Sequence, residues 1–151
     1  MAIRDDPGGS KGQRPPKGND WSSSPETDTG HRPTVLVVED DLATRVSMKS
    51  WLTLNGFSVQ AAVSGSEAAK HLDDPEEAID AVVVDLGLRD VNGTALCEVI
   101  HRFHPFLPVV ACSGLATPEN VRPVTGAGVR KFVPKPVDPD ELVSAIRSAL
   151  P

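Results

Sequence analysis

AVVVDLGLRDVNG, residues 81–93, decides the fold. Ala81 to Val84 are small or β-branched and apolar with no polar alternation, the texture of a strand buried on both faces. The run ends abruptly in one carboxylate, Asp85. A carboxylate at the carboxyl end of a buried strand stands where open parallel sheets bind their ligands, because the connections turn away from each other there and leave a crevice.

On both sides of this stretch, strand and helix signals alternate. TVLVV (34–38) reads as a buried strand, followed by Glu39-Asp40-Asp41 and a helix from about Leu42 to Asn55. Leu42, Val46, Trp51, Leu52 and Leu54 are its expected packing residues, Asp41 is its expected cap, and Gly56 ends it. FSVQA (57–61) predicts a second strand, and Ser64 with Glu67 forms an S-x-x-E capping box for a helix running to about Leu72. After Gly93 a helix is expected to place Leu96, Val99, Ile100 and Phe103 on one stripe. VVAC (109–112) is the fourth strand. In TPENVRPVTGAG, Pro118 and Pro123 permit only a short helix. KFVP (131–134) is the fifth strand, and Asp138-Pro139-Asp140-Glu141 starts a last helix with an N-cap, a proline at the first position and an acid at the third. Leu142, Ile146 and Leu150 should face inward. Five strand and helix pairs imply an α/β fold, a parallel sheet with helices on both faces joined by right-handed crossovers.

The chain has 151 residues with 15 Lys and Arg against 21 Asp and Glu, net charge −6. Residues 1–33 carry 5 of each sign, so the part from Thr34 onward holds all the excess acid, 16 against 10. That balance argues against a nucleic-acid partner or an anionic membrane surface, both of which need clustered Lys and Arg. Residues 1–33 contain five Gly, five Pro and four Ser, with Met1, Ala2, Ile3 and Trp21 as their apolar side chains. Such a segment cannot bury enough surface to offset its ordering entropy, and it is expected to be a disordered tail ahead of one domain, residues 34–151. Cys97 and Cys112 have no metal-ligand spacing and fall in apolar segments, so buried free thiols in a reducing cytoplasm are expected. No apolar run reaches the roughly 18 residues of a membrane span.

The groups at or just beyond the strand ends are Glu39, Asp40, Asp41, Asp85, Ser113 and Lys135. Gathered carboxylates repel unless a cation sits between them, and a few carboxylates with waters and a phosphoryl oxygen suit Mg²⁺. Ser113 can donate to one phosphoryl oxygen and Lys135 can neutralise another.

VVEDD (37–41), VVVDLGLRDVNG (82–93), VVACSG (109–114) and FVPKPV (132–137) together resemble the receiver domain of bacterial two-component response regulators, over residues 34–150. The resemblance implies a doubly wound, flavodoxin-like three-layer fold of sheet order 2-1-3-4-5. It also implies a phosphorylatable switch that is not an enzyme beyond its own modification. Asp85 would accept a phosphoryl group from a histidine kinase or phosphotransfer protein. Mg²⁺, or Mn²⁺ in its place, would be held by Asp40, Asp85 and the backbone carbonyl of Gly87, with Glu39 acting through water. Ser113, Lys135 and the N–H groups of Leu86, Gly87 and Gly114 would hold the phosphoryl oxygens. Ser113 and Phe132 would move inward on phosphorylation, a cis Lys135-Pro136 peptide would aim the lysine, and the fourth helix, fifth strand and fifth helix would be read by a downstream protein.

Three positions depart from the pattern. Arg89 stands where many such domains have Pro, Phe132 lacks the hydroxyl of a Tyr, and Pro123 shortens the fourth helix. A magnesium-dependent small-molecule phosphatase would need a second acid two residues after the nucleophile, where Gly87 stands. A flavin or nucleotide carrier would need a glycine-rich phosphate loop where Glu39, Asp40 and Asp41 stand. A phosphate-independent docking module is the remaining alternative. With no DNA-binding segment after Leu150, output is expected through protein contact.

Overall fold

The computed structural model describes residues 32–114 and 118–151. The tail expected over residues 1–33, with Trp21, lies outside the described residues up to residue 31. From Thr34 the elements are β1 (Thr34–Val38), α1 (Leu42–Leu54), β2 (Ser58–Ala62), α2 (Gly65–Asp73), β3 (Ala81–Asp85), α3 (Gly93–Phe103), β4 (Val109–Ser113), α4 (Pro118–Gly126), β5 (Lys131–Pro134) and α5 (Pro139–Ala149). All strand pairs are parallel, in the order β2-β1-β3-β4-β5, with β3 in register between Val35–Val38 of β1 and Val109–Cys112 of β4.

Successive strand residues point to opposite faces, and this splits the interior into two cores. Val35, Val37, Val83, Val110 and Val133 pack with Met48 and Leu52 of α1 and with Leu142 and Ile146 of α5. Leu36, Val38, Val82, Val84 and Ala111 pack on the other side with Ala68 of α2, Cys97 and Ile100 of α3, and Val124 of α4. Every residue of β3 is buried, as its unbroken apolar run predicts.

Side-chain oxygens at the helix starts satisfy main-chain N–H groups that lack an intrahelical partner. Asp41 accepts from Thr44 N, Ser64 from Glu67 N, Asn92 from Ala95 N and Asp138 from Asp140 N. Glu67 Oε1 in turn accepts from Val63 N at 2.8 Å. Pro118 opens α4 and Pro123 lies within it, so the helix stays at nine residues.

Two expected apolar stripes are displaced. In α1 the buried residues are Met48 and Leu52, with Trp51 partly buried, whereas Leu42, Val46 and Leu54 are exposed. At ~100° per residue these three stand roughly 120° or more around the helix from Met48. In α3 the inward line runs through Gly93, Cys97 and Ile100, with Leu96 beside it. Val99 and Phe103 lie off that line and are exposed. Leu142 and Ile146 of α5 are buried as expected, and Leu150 packs at the margin of the first core. Phe57 is buried just ahead of β2, which starts one residue later than its apolar run suggests.

Candidate functional site

The strand order places β1 beside β3 at the point where connections leave in opposite directions, so the residues just past both strands face one crevice. Carboxylate oxygens of Glu39, Asp40 and Asp85 all lie within 4.8 Å of one another. Glu39 is 1% exposed and Asp85 6%, the two buried acids among the described residues. Lys135 follows β5 and reaches across to them: its Nζ lies 3.2 Å from Glu39 Oε1 and 3.2 Å from Asp85 Oδ1. The Lys135-Pro136 peptide bond is cis.

Each of the three carboxylates also accepts a main-chain N–H. Asp41 N donates to Glu39 Oε2 at 3.1 Å, Gly87 N to Asp85 Oδ1 at 3.0 Å, and Arg89 N to Asp40 Oδ2 at 3.0 Å. Burial pushes the Glu39 carboxyl above the ordinary carboxylate range. The Asp41 N–H lowers it and the neighbouring Asp85 raises it again, while the Lys135 ammonium does not cancel the rise. For Lys135, burial acts to lower the ammonium's pKa, but Asp85 and Glu39 outweigh it and hold the group above its ordinary value, hence cationic. Three carboxylates against one ammonium leave the crevice with excess negative charge. Hard oxygen donors this close, with an open side toward solvent at the half-buried Asp40, fit a small divalent cation such as Mg²⁺.

Ser113 ends β4 opposite Pro134, and its carbonyl accepts from Lys135 N at 2.8 Å, which ties the lysine's main chain to the neighbouring strand end. Gly114 is exposed beside it. Phe132 is partly buried against the α3–α4 core. One expected donor is corrected. Leu86 N donates to Cys112 O at 2.9 Å, extending the sheet by one bond, so it does not serve a ligand. Asp41 caps α1 and stands outside the acid cluster, as expected.

Sequence reading missed two supports. Arg45 Nη1 donates to the carbonyl of Glu39 at 2.9 Å, and nothing in its position within α1 marks it for that task. Arg89 registers in sequence as a departure from a proline pattern, yet its N–H, which proline would lack, reaches Asp40. Cys97 and Cys112 are buried free thiols, both pushed up to about 12 by burial and so unreactive. In the acidic segment after α2, His71 Nδ1 lies 2.7 Å from Glu77 Oε1, a local pair remote in sequence from the crevice groups. No helix among the described residues is long and apolar enough to cross a membrane.

The sequence profile of the response regulator receiver domain matches residues 35–147. The transcriptional regulatory protein GlrR of Escherichia coli (strain K12) is 34% identical over 121 residues, covering 80% of this chain and 27% of that protein. The sensor kinase CckA of Brucella abortus is 29% identical over 124 residues, 82% of this chain and 13% of that protein. The chain thus spans about a quarter or less of these two relatives. A crystal structure of a CheY-like response regulator receiver domain protein from Methanospirillum hungatei JF-1 superposes with a TM-score of 0.73 at 29% identity, over 78% of this chain and 93% of that one.

Proposed function

Because this chain belongs to the response regulator receiver domain family, we propose that it is a phosphorylation-driven signalling switch whose acceptor is Asp85. The observation that carries the proposal is the placement of Lys135 Nζ at 3.2 Å from Asp85 Oδ1, in a crevice that also gathers Glu39 and Asp40. A buried nucleophilic carboxylate held between a fixed cation and two further acids is arranged for transfer of a phosphoryl group, a reaction that asks for alignment and charge neutralisation more than covalent assistance.

In the proposed reaction an Asp85 oxygen attacks the phosphorus of a phosphohistidine on a histidine kinase or phosphotransfer protein. The O–P bond forms as the P–N bond breaks, and the histidine nitrogen keeps the electron pair and takes a proton. Lys135 neutralises one phosphoryl oxygen and the Ser113 hydroxyl and the Gly114 N–H donate to the others, while the Gly87 N–H, expected as a further donor, holds Asp85 Oδ1 instead. Mg²⁺, or Mn²⁺ in its place, held by Asp40, Asp85 and the Gly87 carbonyl with Glu39 through water, would supply charge neutralisation at the phosphoryl oxygens.

Modification exchanges one negative charge at residue 85 for roughly two and adds acceptor oxygens. Ser113 and Phe132 then shift toward the acceptor, and the face of α4, β5 and α5 is the surface a downstream protein reads. Residues 34–151 are assigned as the receiver domain. The only reaction assigned to it is its own phosphorylation and dephosphorylation. Two buried, reduced thiols suit the cytoplasm as its place of work.

Intact-mass measurement after incubation with acetyl phosphate and Mg²⁺ tests the proposal. One phosphoryl adduct is expected on the wild type, and none on Asp85→Asn or in EDTA. An unmodified wild type, with a phosphorylated histidine kinase also failing as donor, would falsify it.

A further inference from the structure

The loop after the acceptor strand is tied at two adjacent residues. Arg89 N donates to Asp40 Oδ2 at 3.0 Å. The Asp90 carboxylate accepts from Gly65 N at 3.1 and 3.0 Å through its two oxygens, and from Ser66 N at 3.3 Å. Gly65 and Ser66 open α2, whose first N–H groups have no partner within the helix. Val91 closes the same contact, since a Cβ built on Gly65 would stand 2.7 Å from Val91 Cγ2, and glycine alone allows this approach. The first turn of α2 therefore holds the loop, and the loop holds one oxygen of Asp40.

This tether differs from the other two in the crevice. Glu39 and Asp85 each receive an N–H from the residue two positions on, a local bond that survives wherever the strand end goes. The donor to Asp40 comes from 49 residues away, so the aim of this carboxylate depends on where the loop is placed. A hydrogen bond to one carboxylate oxygen restrains the orientation of the group and leaves the other oxygen for a ligand, the way outer-shell donors orient metal-binding side chains.

We propose that Asp90 and the main chain of Arg89 form a strap that orients Asp40 toward a divalent cation, with Asp90 as a positioning residue. The inference rests on the reading of Glu39, Asp40 and Asp85 as the cation site. Arginine at position 89 keeps an N–H there, and Asp90 keeps that N–H in reach.

Mn²⁺ affinity, read from the free-ion electron paramagnetic resonance signal during titration of the full chain, tests the strap without any phosphorylation. Relative to wild type, Arg89→Pro, which removes the donor, is expected to weaken binding by about tenfold, while Arg89→Ala, which keeps it, stays within about twofold. Asp90→Ala is expected to lose several-fold and Asp90→Asn, whose carboxamide oxygen still accepts an N–H, to recover most of that loss. Arg89→Pro combined with Asp90→Ala should bind no more weakly than Arg89→Pro alone. Metal-free thermal melts monitor folding, and if Arg89→Pro does not fold, the Asp90→Ala and Asp90→Asn pair decides.

The strap is overturned if Arg89→Pro binds as tightly as wild type, if Arg89→Ala loses as much, if the double variant falls by the product of the single losses, or if Asp90→Asn fails to rescue. A wild type that binds no Mn²⁺ overturns the cation site itself and the strap with it; a wild type that binds while the variants are unchanged overturns the strap alone.

Discussion

Val38 and Glu39 are consecutive, as are Val84 and Asp85, and all four are almost fully buried, yet one residue along the strand reverses what burial does. For the valines, leaving water stabilises the fold, and both belong to the core that the sheet forms with α2, α3 and α4. For the acids, leaving water is a cost, sustained by main-chain N–H groups and by one lysine arriving from β5. Burial by itself marks neither core nor site. The distinction lies in whether the neighbouring groups answer volume or charge.

Substitutions on the two sides of that boundary should therefore separate stability from chemistry. The largest expected effect is complete loss of the phosphoryl adduct in Asp85→Asn, with a melting temperature equal to or above that of the metal-free wild type, because one of the gathered charges is gone. A large drop in melting temperature would show that Asp85 is structural and break the contrast. Leu52→Ala, on the core side, should lower unfolding free energy in urea by about 2–5 kcal/mol through lost burial and a residual cavity. The folded fraction of that variant should still take up one phosphoryl group. Loss of uptake by folded protein would mean that core and crevice are coupled.

The buried acids, unlike the valines, also make stability depend on pH. A carboxyl raised in the folded state binds protons more tightly there than in the unfolded chain, so its contribution to stability is present at low pH and lost as pH rises from its ordinary value, 4.5, through the folded value. Glu39→Gln removes that titration. Without divalent ions, the stability of Glu39→Gln relative to wild type should increase as pH rises across this window, by less than the Leu52→Ala loss, in urea titrations at stepped pH. A difference that is flat with pH would sink the assignment of Glu39 as the strained acid. The smallest effect is expected at a helix start: Asn92→Ala removes the oxygen that accepts from Ala95 N and should cost about 1 kcal/mol in the same urea assay, leaving the adduct intact.

Strand positions were legible because buried parallel strands are continuous apolar runs, and Ala81–Asp85 or Thr34–Val38 have no competing period. Helix starts were legible for a local reason: Asp41, Ser64 and Asp138 bond to N–H groups two or three residues on. The packing faces of α1 and α3 were less so. Leu42, Val46, Val99 and Phe103 are as apolar as the residues that pack, and the line of contact is set by how each helix lies on the sheet. Asp85, its acidic neighbours and the lysine were legible as strand-end residues. The main-chain donors and Arg45 were not, since a backbone N–H leaves no trace in residue type.

Sequence alone determined the alternation of strand and helix, the placing of Glu39, Asp40, Asp85 and Lys135 at strand ends, and the family to which those motifs point. These depend on periodicity and residue chemistry within a few positions of each residue. Long-range packing alone sets Lys135 between Glu39 and Asp85, makes Leu86 N part of the sheet, and brings the Arg89 N–H to Asp40 and the Asp90 carboxylate to the first N–H groups of α2. Those contacts join residues separated by 24 to 96 positions, and the geometry that brings them together comes from strand order and helix placement, which no short stretch of the chain encodes.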